Sequence, residues 1–524
     1  MDTFGGTMPF LSQSLIQTQE LVQRALGAFA PELLLSAGII FLLLFDLFGK
    51  AARPRASAWI AFTVAGLAGL LVLLRQPGQV ELFGWMQGEA HMGMLRDDDF
   101  AKFFRCFILA ATLVTIPMCL MLPAFQNRKM GEFYALLLAA TLGMMLMSGA
   151  TNMLMIYMGI EFASMASYLA VAFLKRDPKG SEAGLKYVIY GSVASGIMIY
   201  GMSLLYGMTG SLHLSALADA FTLTSAVSPG LIAASALVFA GFAYKMAAFP
   251  MHFWCPDAYE GAPTPITAYL SVASKAAGFA VFVRFVMAFR SDYSLSISSP
   301  SEGVPVFDVG FGWVGLIAGA AALSMTAGNL AALWQTNLKR LLAYSSIAHA
   351  GYMLMGVAAL RPQVENSGLQ FAPIFFYLIT YFFMNLAAFY VLTMVASKTG
   401  GETLDHFRGL GARAPFLAIM FTLCLVSLLG IPPTGGFTGK LQIFKMAVKA
   451  DLVWLAVVAG VNTAISAYYY FRVVQAMWLD EAKDRSEVRF AWGHMVIVAV
   501  LSAPILVLGL AFQPVAAFVR QFGF

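Results

Sequence analysis

Four ionisable residues sit inside apolar runs where a charge is poorly solvated: Glu161, Lys245, Lys275 and Lys440. An ammonium at the centre of a membrane helix costs roughly 2.5–3.5 kcal/mol on insertion scales. In the stretch 241–275, Lys245 ends one apolar run, Pro250 breaks it, and His252 follows. A polar segment then carries Asp257 and Glu260 before a second run presents Lys275. Desolvation disfavours a lysine's charge and a nearby carboxylate restores it. A lysine whose distance to a carboxylate varies therefore loads and releases a proton, and a broken helix supplies the place to move. The competing reading, that these groups only tie helices together, is weaker for Lys245 and Lys440 than for Lys275 and Glu161, and the cation beside Glu161 could be Lys186 or Lys245.

Other side chains could extend such a relay. His252 and His349 could pass protons near neutrality, and Ser345, Ser346 and Tyr344 could hold water beside His349. Hydroxyls in membrane helices also bond the preceding turn, and a lone histidine is often a packed polar group. Asp46 and Arg284 lie near the ends of their runs and read as interfacial anchors.

The elements that must position these groups are membrane helices. Of 524 residues, 60% are hydrophobic and 11% charged, and mean hydropathy is +0.77. A soluble domain carries about 25% charged residues. The chain is expected to be all-α and polytopic, with about fourteen spans of about 20 residues each. Span five covers 152–174, span six 183–207, span seven 229–249, span eight 264–289, and a long broken span twelve 415–449. Pro250 interrupts span seven, and 430-GIPPTGGFTGK-440 interrupts span twelve. Spans four to eight then correspond to nine to thirteen, as two five-helix repeats inverted in the membrane. The expected organisation is a tail and three spans (1–122), a first repeat (132–290), a second repeat (311–480) and a final span (490–524).

Basic residues fall in the odd-numbered loops: Lys50, Arg53 and Arg55; Arg128 and Lys129; Lys175, Arg176 and Lys179; Lys339 and Arg340; Arg408 and Arg413; Lys483, Arg485 and Arg489. One even-numbered loop is acidic at Asp97, Asp98 and Asp99. The odd loops are therefore expected in the cytoplasm and both termini on the periplasmic side. The net charge of +5 is spread over these loops as no patch, which argues against nucleic acid. Four cysteines without a CxxC spacing are read as inert helix thiols, and no metal site is expected. Residues 310-GFGWVG-315 match GxGxxG but open a span and follow no strand, and 435-GGFTGK-440 lacks the first glycine and the final Ser/Thr of a phosphate loop. Nucleotide binding is not expected.

Several motifs together resemble one family. 249-FPMHFWCPDAYEGAPTPITAYLSVASK-275, 157-YMGIEFASMASYLAVAF-173, 183-AGLKYVIYGSVASG-196, 337-NLKRLLAYSSIAHAGYM-353 and the GIPPTGGFTGK break are similar to the antiporter-like membrane subunits of respiratory complex I, NADH:quinone oxidoreductase, and among them to the subunit N branch. The resemblance implies a proton-translocating module of a bacterial inner membrane, with no redox centre in this chain. It implies that NADH, FMN, iron–sulfur clusters and quinone belong to partner subunits, and that the neighbours are other antiporter-like and small helical membrane subunits. It assigns Glu161 and Lys245 as a pair, Lys275 and Lys440 to the continuing path, and Lys186 and His252 as accessory members. The rival functions are a subunit of a cation/proton antiporter and a hydrogenase-linked membrane complex.

Overall fold

The computed structural model describes residues 25–49, 53–78, 80–83, 85–87, 90–126, 128–222, 229–291, 313–360, 367–482 and 490–520. The N-terminal 24 residues, the basic loop positions Lys50, Lys483, Arg485 and Arg489, and positions 310–312 of the GxGxxG match lie outside these.

The architecture is nearly all helical, as the hydropathy requires. The long helices in order are α1 (Ala30–Phe48), α2 (Pro54–Leu74), α3 (Asp99–Leu120), α4 (Gly131–Gly149), α5 (Met153–Val171), α6 (Pro178–Thr209), α7 (Pro229–Met246) and α8 (Thr264–Met287). They continue as α9 (Trp313–Ala332), α10 (Leu338–Ala358), α11 (Ser367–Thr399), α12 (Pro415–Leu429), α13 (Gly435–Lys449), α14 (Val453–Trp478) and α15 (Trp492–Leu510). Among the described residues thirteen helices are long and apolar enough to cross a membrane. The expected twelfth span is the broken pair α12 and α13, each too short to cross alone. The loop between α2 and α3, expected only to be polar, forms two small antiparallel ribbons: β1 (Val80–Leu82) with β4 (Leu95–Asp97), and β2 (Trp85–Gln87) with β3 (Ala90–Met92).

Burial separates the spans into a centre and a rim. In α8 and α10, 94% of the most apolar window is buried, and in α11 89%, against 33% in α1, α2 and α14 and 28% in α15. The rim helices turn Leu47, Phe48, Leu74, Trp492 and Leu510 outward, as a lipid-facing surface requires. The central helices are the ones that carry Lys275 and His349.

Two local structures recur. The N-cap Asn152 of α5 forms a bridge with His213, and the Met153 N–H donates to the Leu212 carbonyl. The N-cap Asn337 of α10 forms the equivalent bridge with Thr403, and the Leu338 N–H donates to the Glu402 carbonyl. In each case an Asn side chain caps the helix and the strand-like contact comes from the loop after the next helix.

The loops also sort by parity. Lys186 of α6, Asp257 after α7, Arg340 after α9 and Glu402 after α11 gather at one end of the bundle. Asp97 and Asp98 before α3, the Ser148 carbonyl of α4 and Arg284 at the far end of α8 gather at the other.

Candidate proton-path site

Breaking a helix inside a membrane frees backbone groups that must be satisfied by protein. Where α7 ends, the Trp254 indole donates to the Tyr244 carbonyl at 3.0 Å, and Ser324 of α9 accepts from the Phe249 N–H at 2.8 Å. Where α12 ends, the Lys440 ammonium donates to the carbonyls of Leu428 and Leu429 at 3.1 and 2.9 Å, and Ser427 accepts from the Gly436 N–H. Each break is held open by side chains. Central α8 carries a third irregularity, a π-turn over Leu270–Ser274 immediately before Lys275, with the Asn385 amide donating to Ser271 at 2.6 Å. Such π-turns recur at functional positions in helices.

These irregularities present the lysines. Lys245 and Lys275 are 1% exposed, Lys440 4% and His349 2%. Lys245 donates to Ser164 Oγ at 3.2 Å, which places it against α5 within one turn of Glu161. Glu161 itself is half-buried and accepts from the Ser195 hydroxyl. Gly278 lets α7 and α8 touch here, since a Cβ would lie 3.3 Å from Lys245 Cγ. Lys275 Nζ has no hydrogen-bond partner among the described residues. His349 Nδ1 lies 2.6 Å from the Tyr377 hydroxyl and Nε2 3.4 Å from that of Tyr470, which meets Ser345 Oγ at 2.5 Å. Lys440 sits 4.5 Å from the Tyr352 ring centroid, one turn along α10 from His349.

Each end of the bundle carries a cluster of ion pairs, whereas the lysines in its middle have none among the described residues. At one end Asp257 holds Lys186 at 3.0 Å and Arg340 at 2.5 Å, and Lys339 meets Glu402 at 2.8 Å. Burial pushes the Asp257 carboxyl up, but hydrogen bonds from Lys186 and Arg340 outweigh it and hold the group below the usual carboxylate range. At the other end Arg105 joins Glu32 at 2.9 Å to Asp97 at 2.7 Å, and Arg284 grips both oxygens of Asp98 at 2.8 Å. Between them, Lys245, Lys275 and Lys440 have no carboxylate within ion-pair distance among the described residues. Burying three unpaired ammoniums weakens the fold, so packing does not explain their presence.

Three sequence expectations are corrected. Lys186 does not pair with Glu161: it is half-exposed, bound to Glu182 at 2.7 Å and to Asp257, because it lies only two turns into α6. Tyr344 does not join His349. Five residues back is roughly 140° around a 3.6-residue helix, and its ring lies instead under the Arg340 guanidinium, 5.9 Å from the centroid. Arg284 is no interfacial anchor but is buried against Asp98, the Ser148 carbonyl and the Phe100 ring. Asp46 does stand at a helix end, accepting from the Gly131 N–H at the start of α4. Ser345 is in contact with the His349 network through Tyr470, whereas Ser346 is buried with no hydrogen-bond partner among the described residues. His252 is buried beside Phe249 and Phe253 with Nδ1 unpartnered.

Sequence reasoning missed Tyr259, Tyr352, Tyr377, Tyr381 and Tyr470, all fully enclosed around these groups. Tyr377 and Tyr381 share a face of α11 by their spacing of four, but nineteen tyrosines in the chain make that signal unspecific.

Residues 150–301 and 303–466 match the family described as "NADH:quinone oxidoreductase/Mrp antiporter, TM". NADH-quinone oxidoreductase subunit N of Anaeromyxobacter sp. is 43% identical over 505 residues, 93% of this chain and 94% of that one. This chain belongs to the NADH:quinone oxidoreductase subunit N family. A subunit of Thermus thermophilus respiratory complex I, solved with bound aureothin, superimposes with a TM-score of 0.75 at 29% identity, covering 94% of this chain and all of that one. A subunit of the Mrp complex from Dietzia sp. shares the fold alone, with a TM-score of 0.76 at 19% identity over 95% and 97% of the two chains.

Proposed function

We propose that this chain is the subunit N of a bacterial NADH:quinone oxidoreductase and moves protons through Glu161, Lys245, Lys275, His349 and Lys440, with Ser345 and Tyr470 completing the hydrogen-bonded surroundings of His349. The observation that carries the reading is the set of buried lysines without carboxylate partners, between two ends that each carry a cluster of ion pairs. Quinone chemistry in partner subunits changes the charge near Glu161, Lys245 gives up or takes a proton, and the proton passes by Lys275 and His349 to Lys440. Water bridges the buried polar atoms of Lys275, Tyr259, Ser346 and Tyr381, which lack protein partners among the described residues, since a buried water makes about two to four hydrogen bonds to such groups.

NADH, FMN, iron–sulfur clusters and quinone are carried by other subunits, and the neighbours are antiporter-like and small helical membrane subunits. The two bridges at Asn152 and Asn337 support two five-helix repeats, 132–290 and 311–480. With an odd number of spans per repeat, these bridges fall on opposite faces of the membrane. The basic odd-numbered loops support a cytoplasmic face at the Asp257 end and periplasmic termini in the inner membrane. Lys186 and His252 act at the cytoplasmic mouth of the path.

The test is Lys245→Ala in the chromosomal copy, with assembly of the complex confirmed before NADH-driven quinone reduction and proton uptake are recorded in membrane vesicles. The relay requires both activities to fall sharply in an assembled complex. Native activity would reduce the lysine to a packing role. The shared fold with an Mrp subunit favours a second reading, a cation/proton antiporter subunit. It predicts that the tagged chain purifies without NADH oxidation and that its transport follows an imposed ion gradient.

A further inference from the structure

At the end of the bundle where the loops after α1 and α3 meet, α2, the chain after α3 and α4 enclose a cavity of about 480 Å³. Arg53 and Arg55 form its mouth, and Tyr134 of α4 lies in its wall. Leu120, Leu122 and Phe125 make its apolar floor. Neither arginine has a carboxylate within ion-pair distance among the described residues, although the basic groups Lys186, Lys339 and Arg340 are all paired. Their charge adds to that of the α2 N-terminus, which starts at Pro54 without a side-chain cap and so directs unsatisfied N–H groups and the positive end of the helix dipole at the same place.

Tyr134 is the independent observation. It is 1% exposed and lines the cavity, and its hydroxyl makes no hydrogen bond to the described residues, so it is free to meet a ligand there. Depth in the membrane decides the class of ligand. Trp59, in the second turn of α2, is 62% exposed, and an outward tryptophan near a span's end marks the headgroup level. A pocket at this level with a cationic mouth, a hydroxyl wall and an apolar floor suits an amphiphile with an anionic head. Basic pockets between transmembrane helices are established acceptors of such heads.

We propose that this cavity binds one anionic phospholipid, its phosphate at Arg53, Arg55 and the start of α2, its glycerol end against Tyr134, and its acyl chains over Leu120 and Leu122. The lipid ties the α1–α3 unit to α4 at the boundary of the proton-path domain. This site stands apart from the relay, and its occupancy does not depend on whether protons move through Lys245.

The chain, purified by a tag together with its accompanying subunits, is reconstituted in phosphatidylcholine vesicles containing a trace of phosphatidylglycerol with a photoactivatable acyl chain. Illumination is expected to label the peptide spanning residues 119–126. Arg53→Gln with Arg55→Gln should lower that labelling on the order of tenfold. Arg128→Gln, which removes one charge in the neighbouring loop but outside the pocket, should leave it unchanged, and Arg53→Gln alone should lower it. Equal labelling by photoactivatable phosphatidylcholine overturns the proposal in favour of ordinary lipid contact. Competition by inorganic phosphate alone overturns it in favour of a free-anion site. Absence of labelling in an intact assembly overturns it as well, because the pocket is then covered by protein.

Discussion

Lys186 Nζ lies 3.0 Å from Asp257 Oδ2, at the mouth of the bundle and not at its centre. The pair joins α6 to the short helix after α7, and Asp257 extends it to Arg340 of α10. Lys186 is 41% exposed on its side chain, so the pair is screened by solvent and contributes about 0.2–1 kcal/mol. Lys186→Ala is therefore expected to leave assembly intact and to slow NADH-driven proton uptake by no more than about fivefold, since 1.4 kcal/mol corresponds to about tenfold. Uptake measured beside Lys245→Ala in the same vesicles decides the point. A loss as complete as that of Lys245→Ala would put Lys186 on the path itself.

Lys245 offers a sharper contrast. Arginine keeps the positive charge and much of the length, but does not release its proton in proteins. If Lys245 served only as a fixed cation beside α5, Lys245→Arg would retain most activity. The relay requires the opposite: an assembled complex with proton uptake reduced on the order of a hundredfold or more, a barrier of at least about 2.7 kcal/mol. Ser164→Ala, which removes the 3.2 Å contact from Lys245, should give a milder loss with normal assembly. Both are read by the rate of proton uptake in vesicles that hold equal amounts of assembled complex.

The positions of Glu161, Lys245, Lys275 and Lys440 were legible in the sequence because a charge in an apolar run is expensive wherever the helix packs. The breaks were legible for the same reason, through Pro250 and the Gly/Pro-rich stretch before Lys440. Partners across helices were not. Hydropathy states which face of a helix is apolar and not which neighbour it meets, so the Tyr377 and Tyr470 contacts to His349 had no signature. Nor did the buried Glu32–Arg105–Asp97 cluster, whose members come from α1, α3 and β4. Lys186 misled for a related reason. An apolar run of helix α6 begins around it, yet the chain there still lies among the loops.

Gly430 and Lys440 are tied together by backbone geometry. Gly430 ends α12 at φ +88, in the left-handed region, and a Cβ there would lie 2.9 Å from Lys440 Cδ. Gly430→Ala therefore meets a conformational cost of about 1 kcal/mol and also crowds the lysine stem. The ammonium is expected to lose its hold on the Leu428 and Leu429 carbonyls, and proton uptake and quinone reduction should fall together in an assembled complex. Native rates of both would count against Lys440 as the last lysine on the path. Tyr352→Phe keeps the ring 4.5 Å beneath the ammonium and should be tolerated, whereas Tyr352→Leu removes a contact of about 1–2 kcal/mol.

The Asp98–Arg284 clamp at the opposite end should show itself through pH. Burial pushes the Asp98 carboxyl up, but the Arg284 charge and the hydrogen bonds from Arg284 and the Ala101 N–H outweigh it and hold the group below the ordinary aspartate value. A depressed carboxylate stabilises the fold fully above its unfolded value of about 3.9, and that contribution disappears as pH falls through the lower folded value. Asp98→Asn keeps an acceptor for the Ala101 N–H and leaves the Arg284 guanidinium without its carboxylate. The expected cost at neutral pH is about 3–5 kcal/mol, read as a lower midpoint of thermal unfolding in detergent. The gap between native and variant chains should hold steady from neutral pH down to about 5 and close only well below 4. A gap that closes between pH 5 and 7 would assign the effect to another group, and no gap at neutral pH would show that the clamp does not hold the far end of α8.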